Sequence, residues 1–224
     1  MQAYTATHPS NFPAAAFGLR APAPTKMPAG IQMVLTKGEE LFAEGDEAES
    51  FYQVVSGTIR SYKLLSDGRR QIDAFHLHGD IFGLEGSTEH RFSAEAVGNA
   101  SVIAYRRSRL TDLIEDDAGF RGRVMSATLR NLERAQDHML LLGRKTAQEK
   151  IATFLLDMAR RISDDEAHFE LPMLRTDIAD HLGLTIETVS RTLTQFARSG
   201  LIELLPASRC IGLCNKSGLQ RLNA

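Results

Sequence analysis

Residues 174–202 read Leu174-Arg175-Thr176-Asp177-Ile178-Ala179-Asp180-His181-Leu182-Gly183-Leu184-Thr185-Ile186-Glu187-Thr188-Val189-Ser190-Arg191-Thr192-Leu193-Thr194-Gln195-Phe196-Ala197-Arg198-Ser199-Gly200-Leu201-Ile202. Ile178 and Leu182 stand four apart, which places them on one face of a short helix ending near Leu182. Gly183 supplies a tight turn of the kind that joins two crossing helices. Thr185 is an N-cap for a second helix, Glu187 puts negative charge in its first turn, and Gly200 stops it.

The second helix has two faces. At ~100° per residue, Glu187, Ser190, Arg191 and Thr194 fall within roughly 60–100° of one another. Ile186, Val189, Leu193 and Phe196 cluster roughly 140° away as an apolar anchor. An isolated Glu and Arg at this spacing is ordinarily a solvated charge pair. The glycine turn, the cap and the two sharp faces together favour a helix that enters a DNA major groove. Arginine bonds guanine O6 and N7 bidentately, a carboxylate accepts from cytosine N4, and a hydroxyl serves either base type. Glu187 is also expected to hold the Arg191 guanidinium in a fixed pose.

The next residues fit a wing. Leu201-Ile202-Glu203-Leu204-Leu205 reads as a strand, 206–209 as a turn, and Cys210-Ile211-Gly212-Leu213 as a return strand. Arg209 at that turn and Arg175 at the start of the first helix are candidate phosphate contacts, which set register rather than sequence choice.

Upstream, residues 31–107 alternate short Val-, Ile-, Phe- and Tyr-rich segments with glycines at 38, 45, 57, 68, 79, 86 and 98. Turns at this spacing indicate an all-β sandwich or barrel, and Asp67-Gly68 is a hairpin signal. From 108 to 143 the period becomes helical. Ser108 is a cap for a short helix, and a longer helix spans roughly 117–142. Its Met125, Thr128, Leu132, Ala135, Met139 and Leu142 form a narrow seam suited to a partner helix, with Leu129 and Leu140 left to pack on the β domain. A single buried core helix is the alternative. Thr146 and Glu149 have capping-box spacing for a further helix carrying Ile151, Phe154, Leu155 and Met158 inward.

The whole chain has 224 residues and a net charge of −2, which excludes a uniformly basic nucleic-acid coat but not a local basic face. Residues 144–224 hold 11 basic against 10 acidic side chains, a weak asymmetry. No apolar run reaches the ~18 residues of a membrane span. Five of the seven prolines fall in the first 30 residues, read as a loose arm without the pattern of a signal peptide. A cytoplasmic protein is expected. The two cysteines, Cys210 and Cys214, exclude a disulfide framework and supply too few ligands for a usual iron–sulfur cluster.

The segment from Leu182 to Arg191 closely resembles the helix-turn-helix signature of the Crp/Fnr transcription regulators, and its Glu, Ser and Arg combination resembles the FixK branch. Gly38-Glu39, Phe42-Ala43-Glu44-Gly45-Asp46, Ser56-Gly57, Asp67-Gly68-Arg69 and Gly79-Asp80-Ile81-Phe82-Gly83 resemble that family's β-roll, in the correct order. The resemblance implies an α+β chain: a flexible arm over 1–30, a β-roll over 31–107, a dimerisation helix within 108–143 and a winged helix-turn-helix over 144–224. It implies a homodimer on a palindrome of TTG…CAA-type half-sites, and activation through RNA polymerase. Glu187, Ser190 and Arg191 would be the base readers. The Ser66-Asp67-Gly68 turn would be a polymerase contact or a plain hairpin. One departure is Leu174, which stands where the family has a hydroxyl cap and cannot bond the free amides.

Members of this family sense cyclic AMP, oxygen through an iron–sulfur cluster, or gases through haem. The positions matching the ribose and phosphate ligands of cyclic-nucleotide binders are Gly83-Leu84 and Phe92-Ser93, which cannot serve. Glu85 and Arg91 lie one residue away, so a shifted register is the ligand-dependent alternative. His76 and His78, with Glu85, resemble a cupin metal site, against a structural pair near a turn. The expectation is a transcriptional activator, not an enzyme, with no cofactor, no metal and no small-molecule effector.

Overall fold

The computed structural model describes residues 30–163, 167–205 and 209–222. The expected arm, apart from Gly30, and the wing turn at 206–208 lie outside these residues.

Eight strands open the chain: β1 (Ile31–Leu35), β2 (Glu40–Phe42), β3 (Ser50–Ser56), β4 (Ile59–Leu64), β5 (Arg70–His76), β6 (Ile81–Phe82), β7 (Ser93–Ala96) and β8 (Ala100–Arg106). They form two antiparallel four-stranded sheets, in the orders β1-β8-β3-β6 and β2-β7-β4-β5. The alternation that predicted strands decides which side chains meet between them. Leu35, Phe42, Tyr52, Val54, Ile59, Phe82 and Val102 make one buried core. The Asp67-Gly68 hairpin forms as expected, with β4 and β5 paired from Leu64↔Arg70 to Ile59↔His76.

A 3-10 turn over Arg107–Arg109 leads into α1 (Leu110–Asp116) and α2 (Ala118–Arg144). Ser108 falls inside that turn and caps nothing. Helix α1 starts without a side-chain cap, and α2 is capped by Asp117, whose carboxylate accepts from the Gly119 and Phe120 amides at 2.7 and 2.9 Å. Phe120, Val124 and Ala127 of α2 pack with Phe51, Ile81 and Tyr105 of the roll. This corrects the expectation for Leu129 and Leu140, which are 53% and 64% exposed. The helix meets the roll along Phe120, Val124, Ala127 and the Asn131 amide, which donates to the Ile81 carbonyl. Met125, Leu132 and Met139 remain outside as expected, with Thr128 and Ala135 also exposed. Leu142 is the exception: it is half-buried against the carboxy-terminal core and lies beside Gly183.

Helix α3 (Ala147–Ile162) starts on the predicted capping box, with Thr146 and Glu149 bonding each other's backbone amides. Then come β9 (His168–Glu170), α4 (Arg175–Leu182), α5 (Ile186–Arg198), β10 (Ile202–Leu204), β11 (Cys210–Leu213) and α6 (Lys216–Leu222). The wing is a three-stranded sheet in the order β10-β11-β9, its third strand supplied from before the reading motif. Cys210 is half-buried on β11 and Cys214 is exposed just beyond it. The largest core crosses between regions. Ile72, Phe75 and Leu77 of the roll join Leu141 of α2, Ile151, Phe154 and Met158 of α3, and Ile178 and Leu182 of α4.

Candidate nucleic-acid interface

Leu174 stands at the N-cap of α4 and makes no side-chain cap. Asp177, three residues on, replaces it: its carboxylate accepts from the Leu174 amide at 3.1 Å. The helix ends on Gly183 in the left-handed region, φ +61°, a conformation costly for residues with a Cβ. The Leu184 amide then donates to the Ala179 carbonyl at 3.0 Å, closing the turn. Thr185 caps α5 as expected, accepting from the Thr188 amide at 3.3 Å.

Val189, Leu193 and Phe196 bury the inner face of α5, joined by Thr192. Ile186 leaves that face and is 40% exposed. The buried arc is centred between Val189 and Phe196 and takes in Thr192, so Ile186, in the first turn, falls on its rim.

On the opposite face Glu187, Arg191 and Thr194 are exposed and Ser190 is half-buried. The Arg175 guanidinium crosses from α4 and donates to Ser190 Oγ at 3.2 Å, so Arg175 belongs to the same polar surface. Thr194 Oγ1 is turned onto the Ser190 carbonyl at 2.9 Å. Among the described residues no ion pair joins Glu187 to Arg191, contrary to the expected fixed pose. Both side chains stand free in solvent, where such a pair gains little. Arg209 is turned back onto its own domain. It donates to the Pro172 carbonyl at 2.7 Å and pairs with Glu170 at 3.5 Å, bracing the wing against the segment that precedes α4.

The other sequence candidates separate. His76 and His78 do not converge, because β5 ends at His76 and the chain turns. His76 is buried, stacked on Phe82 with ring centroids 4.3 Å apart and within 3.1 Å of Ser61 Oγ. His78 is exposed, with Nδ1 2.6 Å from the Val55 carbonyl. Glu85 faces His90 instead. Among the described residues no three His, Cys, Asp or Glu side chains stand where they could hold a metal ion. A cavity of about 830 Å³ lies between the roll, α2 and α3, with Leu84, Glu85 and Phe92 on its wall. Burial pushes the His76 imidazole down to about 4 and that of His181, on α4, down to about 3.

Two family models match the chain: a Crp-like helix-turn-helix domain over residues 149–222 and a cyclic nucleotide-binding domain over 32–117. The chain is 45% identical to the nitrogen fixation regulation protein FixK of Azorhizobium caulinodans, over 100% of this chain and 94% of that protein. The protein belongs to the Crp/Fnr family of transcription regulators. This Crp/Fnr regulator is also 38% identical to the fumarate and nitrate reduction regulatory protein of Escherichia coli, over 75% of this chain and 69% of the other. The solved structure of FixK2 from Bradyrhizobium japonicum superposes with a TM-score of 0.81 at 48% identity, covering 88% of this chain and 98% of that one. DNA binding through the helix-turn-helix of α4 and α5 is therefore the regulator's activity. No described helix is long and apolar enough to cross a membrane.

Residue-by-residue reading of the sequence missed the charged side chains that join α4 to the roll. Arg60, Arg70, Asp177 and Asp180 were visible as charges, but their pairing depends on strands and a helix more than 100 residues apart.

Proposed function

We propose that this regulator binds, as a homodimer, a palindrome of TTG…CAA-type half-sites, with Arg191 reading guanine, Glu187 the opposite cytosine and Ser190 a neighbouring base. The observation that carries this reading is the exposure of Glu187 and Arg191 beside Ser190, on the face of α5 opposite the buried Val189, Leu193 and Phe196. Arg175, which reaches Ser190 on that face, contacts a phosphate, and Arg209 does so by exchanging its Glu170 pair for the DNA backbone. The regulator acts in the cytoplasm as a transcriptional activator that touches RNA polymerase, and not as an enzyme. Likeness to FixK proteins points to genes of nitrogen fixation and microaerobic respiration.

We also propose that it works without a small-molecule effector or cofactor. Leu84 and Phe92 line the cavity where a cyclic nucleotide would need a ribose acceptor and a phosphate cation. A gel shift on the palindrome with no added ligand tests both readings. Binding is expected, unchanged by cyclic nucleotide, and the purified protein should show no visible absorption from haem. Arg191→Ala is expected to cost ~1–3 kcal/mol at the cognate site and to relax base choice there. An equal loss on cognate and scrambled DNA would reduce Arg191 to a phosphate contact.

A further inference from the structure

Helix α4 is held from outside its own domain at both ends. At the amino-terminal end the Asp177 side chain, 3% exposed, receives Arg60 Nη1 and Arg70 Nη2, each at 2.7 Å. Arg70 also reaches Asp180 at 2.8 Å, and Glu95 of β7 pairs with both guanidinium groups. At the other end the Gln71 side-chain amide donates to the His181 carbonyl at 3.1 Å, and His181 Nδ1 lies 3.1 Å from the Ile72 carbonyl. The His181 ring stacks on His138 of α2, with centroids 4.2 Å apart and planes 13° from parallel.

These contacts link three bodies. Arg60, Arg70, Gln71 and Ile72 belong to the β4–β5 hairpin of the roll, His138 to the long helix, and Asp177, Asp180 and His181 to the first helix of the reading motif. Helix α4 has eight residues and no cap of its own from Leu174, so its direction depends on what grips it. Helix α5 follows rigidly, because the Gly183 turn between the two is closed by a backbone bond and both helices share one core. A dimeric reader must present its two reading helices to successive turns of one duplex, so their separation is a specificity property. Partly buried ion pairs of this kind contribute little net stability but are suited to fixing register.

We propose that Arg60 and Arg70 are positioning residues for operator reading: by gripping α4 through Asp177 and Asp180 they set the half-site separation that the dimer accepts. The proposal rests on the base-reading assignment of α5 and on dimerisation through α2, and it adds a function for the β4–β5 hairpin.

The test uses full-length protein and fluorescence anisotropy on palindromes whose half-sites are moved together or apart by one and two base pairs. Wild-type protein is expected to prefer one spacing by about tenfold, because bivalent binding is lost when the geometry does not fit. Arg70→Gln should lose about tenfold at that spacing and show little preference among the others, with half-site sequence choice and dimer mass unchanged. Asp180→Asn is the second variant. Its carboxylate is 32% exposed, so its loss leaves Arg70 paired with Asp177 and Glu95 and spares the fold. It should flatten the same profile in part. Variants that weaken equally at every spacing, or that keep the wild-type profile, overturn the proposal. A wild-type protein that binds half-sites but ignores spacing also overturns it, while leaving the reading helix intact. A wild-type protein that recognises no half-site overturns the base-reading assignment instead.

Discussion

Aspartate at both Leu132 and Met139 is expected to lower affinity for the palindrome by about 10²–10⁴-fold, because it removes the second binding arm. In the single chain these side chains are 54% and 66% exposed, on the flank of α2 turned away from the roll. No described residue covers them, and Met125 at 59% and Leu129 at 53% exposure extend the same apolar strip. On the proposed seam, pairing across a two-fold axis would bury that strip, and two carboxylates on each helix would confront two more. Sedimentation equilibrium should show monomers, and affinity for a single half-site should persist. An unchanged dimer would show that the two subunits meet elsewhere. Leu142 separates the seam from the core. Because it packs on the carboxy-terminal core beside Gly183, aspartate there should lower thermal stability rather than dissociate an otherwise sound dimer.

Legibility followed the range of the interactions. Gly183, the Thr185 cap and the Thr146–Glu149 capping box act within four residues, and each forms where its spacing placed it. The β4–β5 hairpin is equally local. The seam was half legible. Its period is a property of the helix, but which flank meets the roll depends on Phe51, Ile81 and Tyr105, distant in sequence. Leu129 and Leu140 therefore stand exposed rather than against the β domain, and Leu142, on the seam by its period, packs in part on the core of its own chain. His76 and His78 misled because their i, i+2 spacing implies one face only while a strand continues, and this one ends at His76. The Leu174 departure was resolved by a carboxylate that also serves the clamp: Asp177 caps α4 from inside and takes the two guanidinium groups of the roll.

Acidification from about pH 7 to about pH 5 is expected to destabilise the fold by about 4 kcal/mol through His76 and His181 together. Burial depresses both imidazoles, to about 4 and about 3 against an ordinary 6.5. Between these values the unfolded chain takes up protons that the folded chain refuses. The stabilisation is therefore complete above 6.5 and is lost progressively as pH falls from 6.5 towards the folded values, by about 2 kcal/mol per group at pH 5. Asp80 beside His76 favours the charged imidazole, while Arg161 and Arg134 oppose it. At His181 the neighbouring His138 and Arg161 oppose charge and the Ile72 carbonyl favours it. His138 is itself pushed down by burial and by Lys150, which adds to the trend. Asp73 has the opposite sign, since burial raises its carboxyl and proton uptake there favours the fold. Urea denaturation at several pH values should show stability falling across this window, and His76→Phe, which keeps a ring against Phe82, should remove about half of the slope. A wild-type curve flat between pH 7 and 5 would mean that both rings reach solvent.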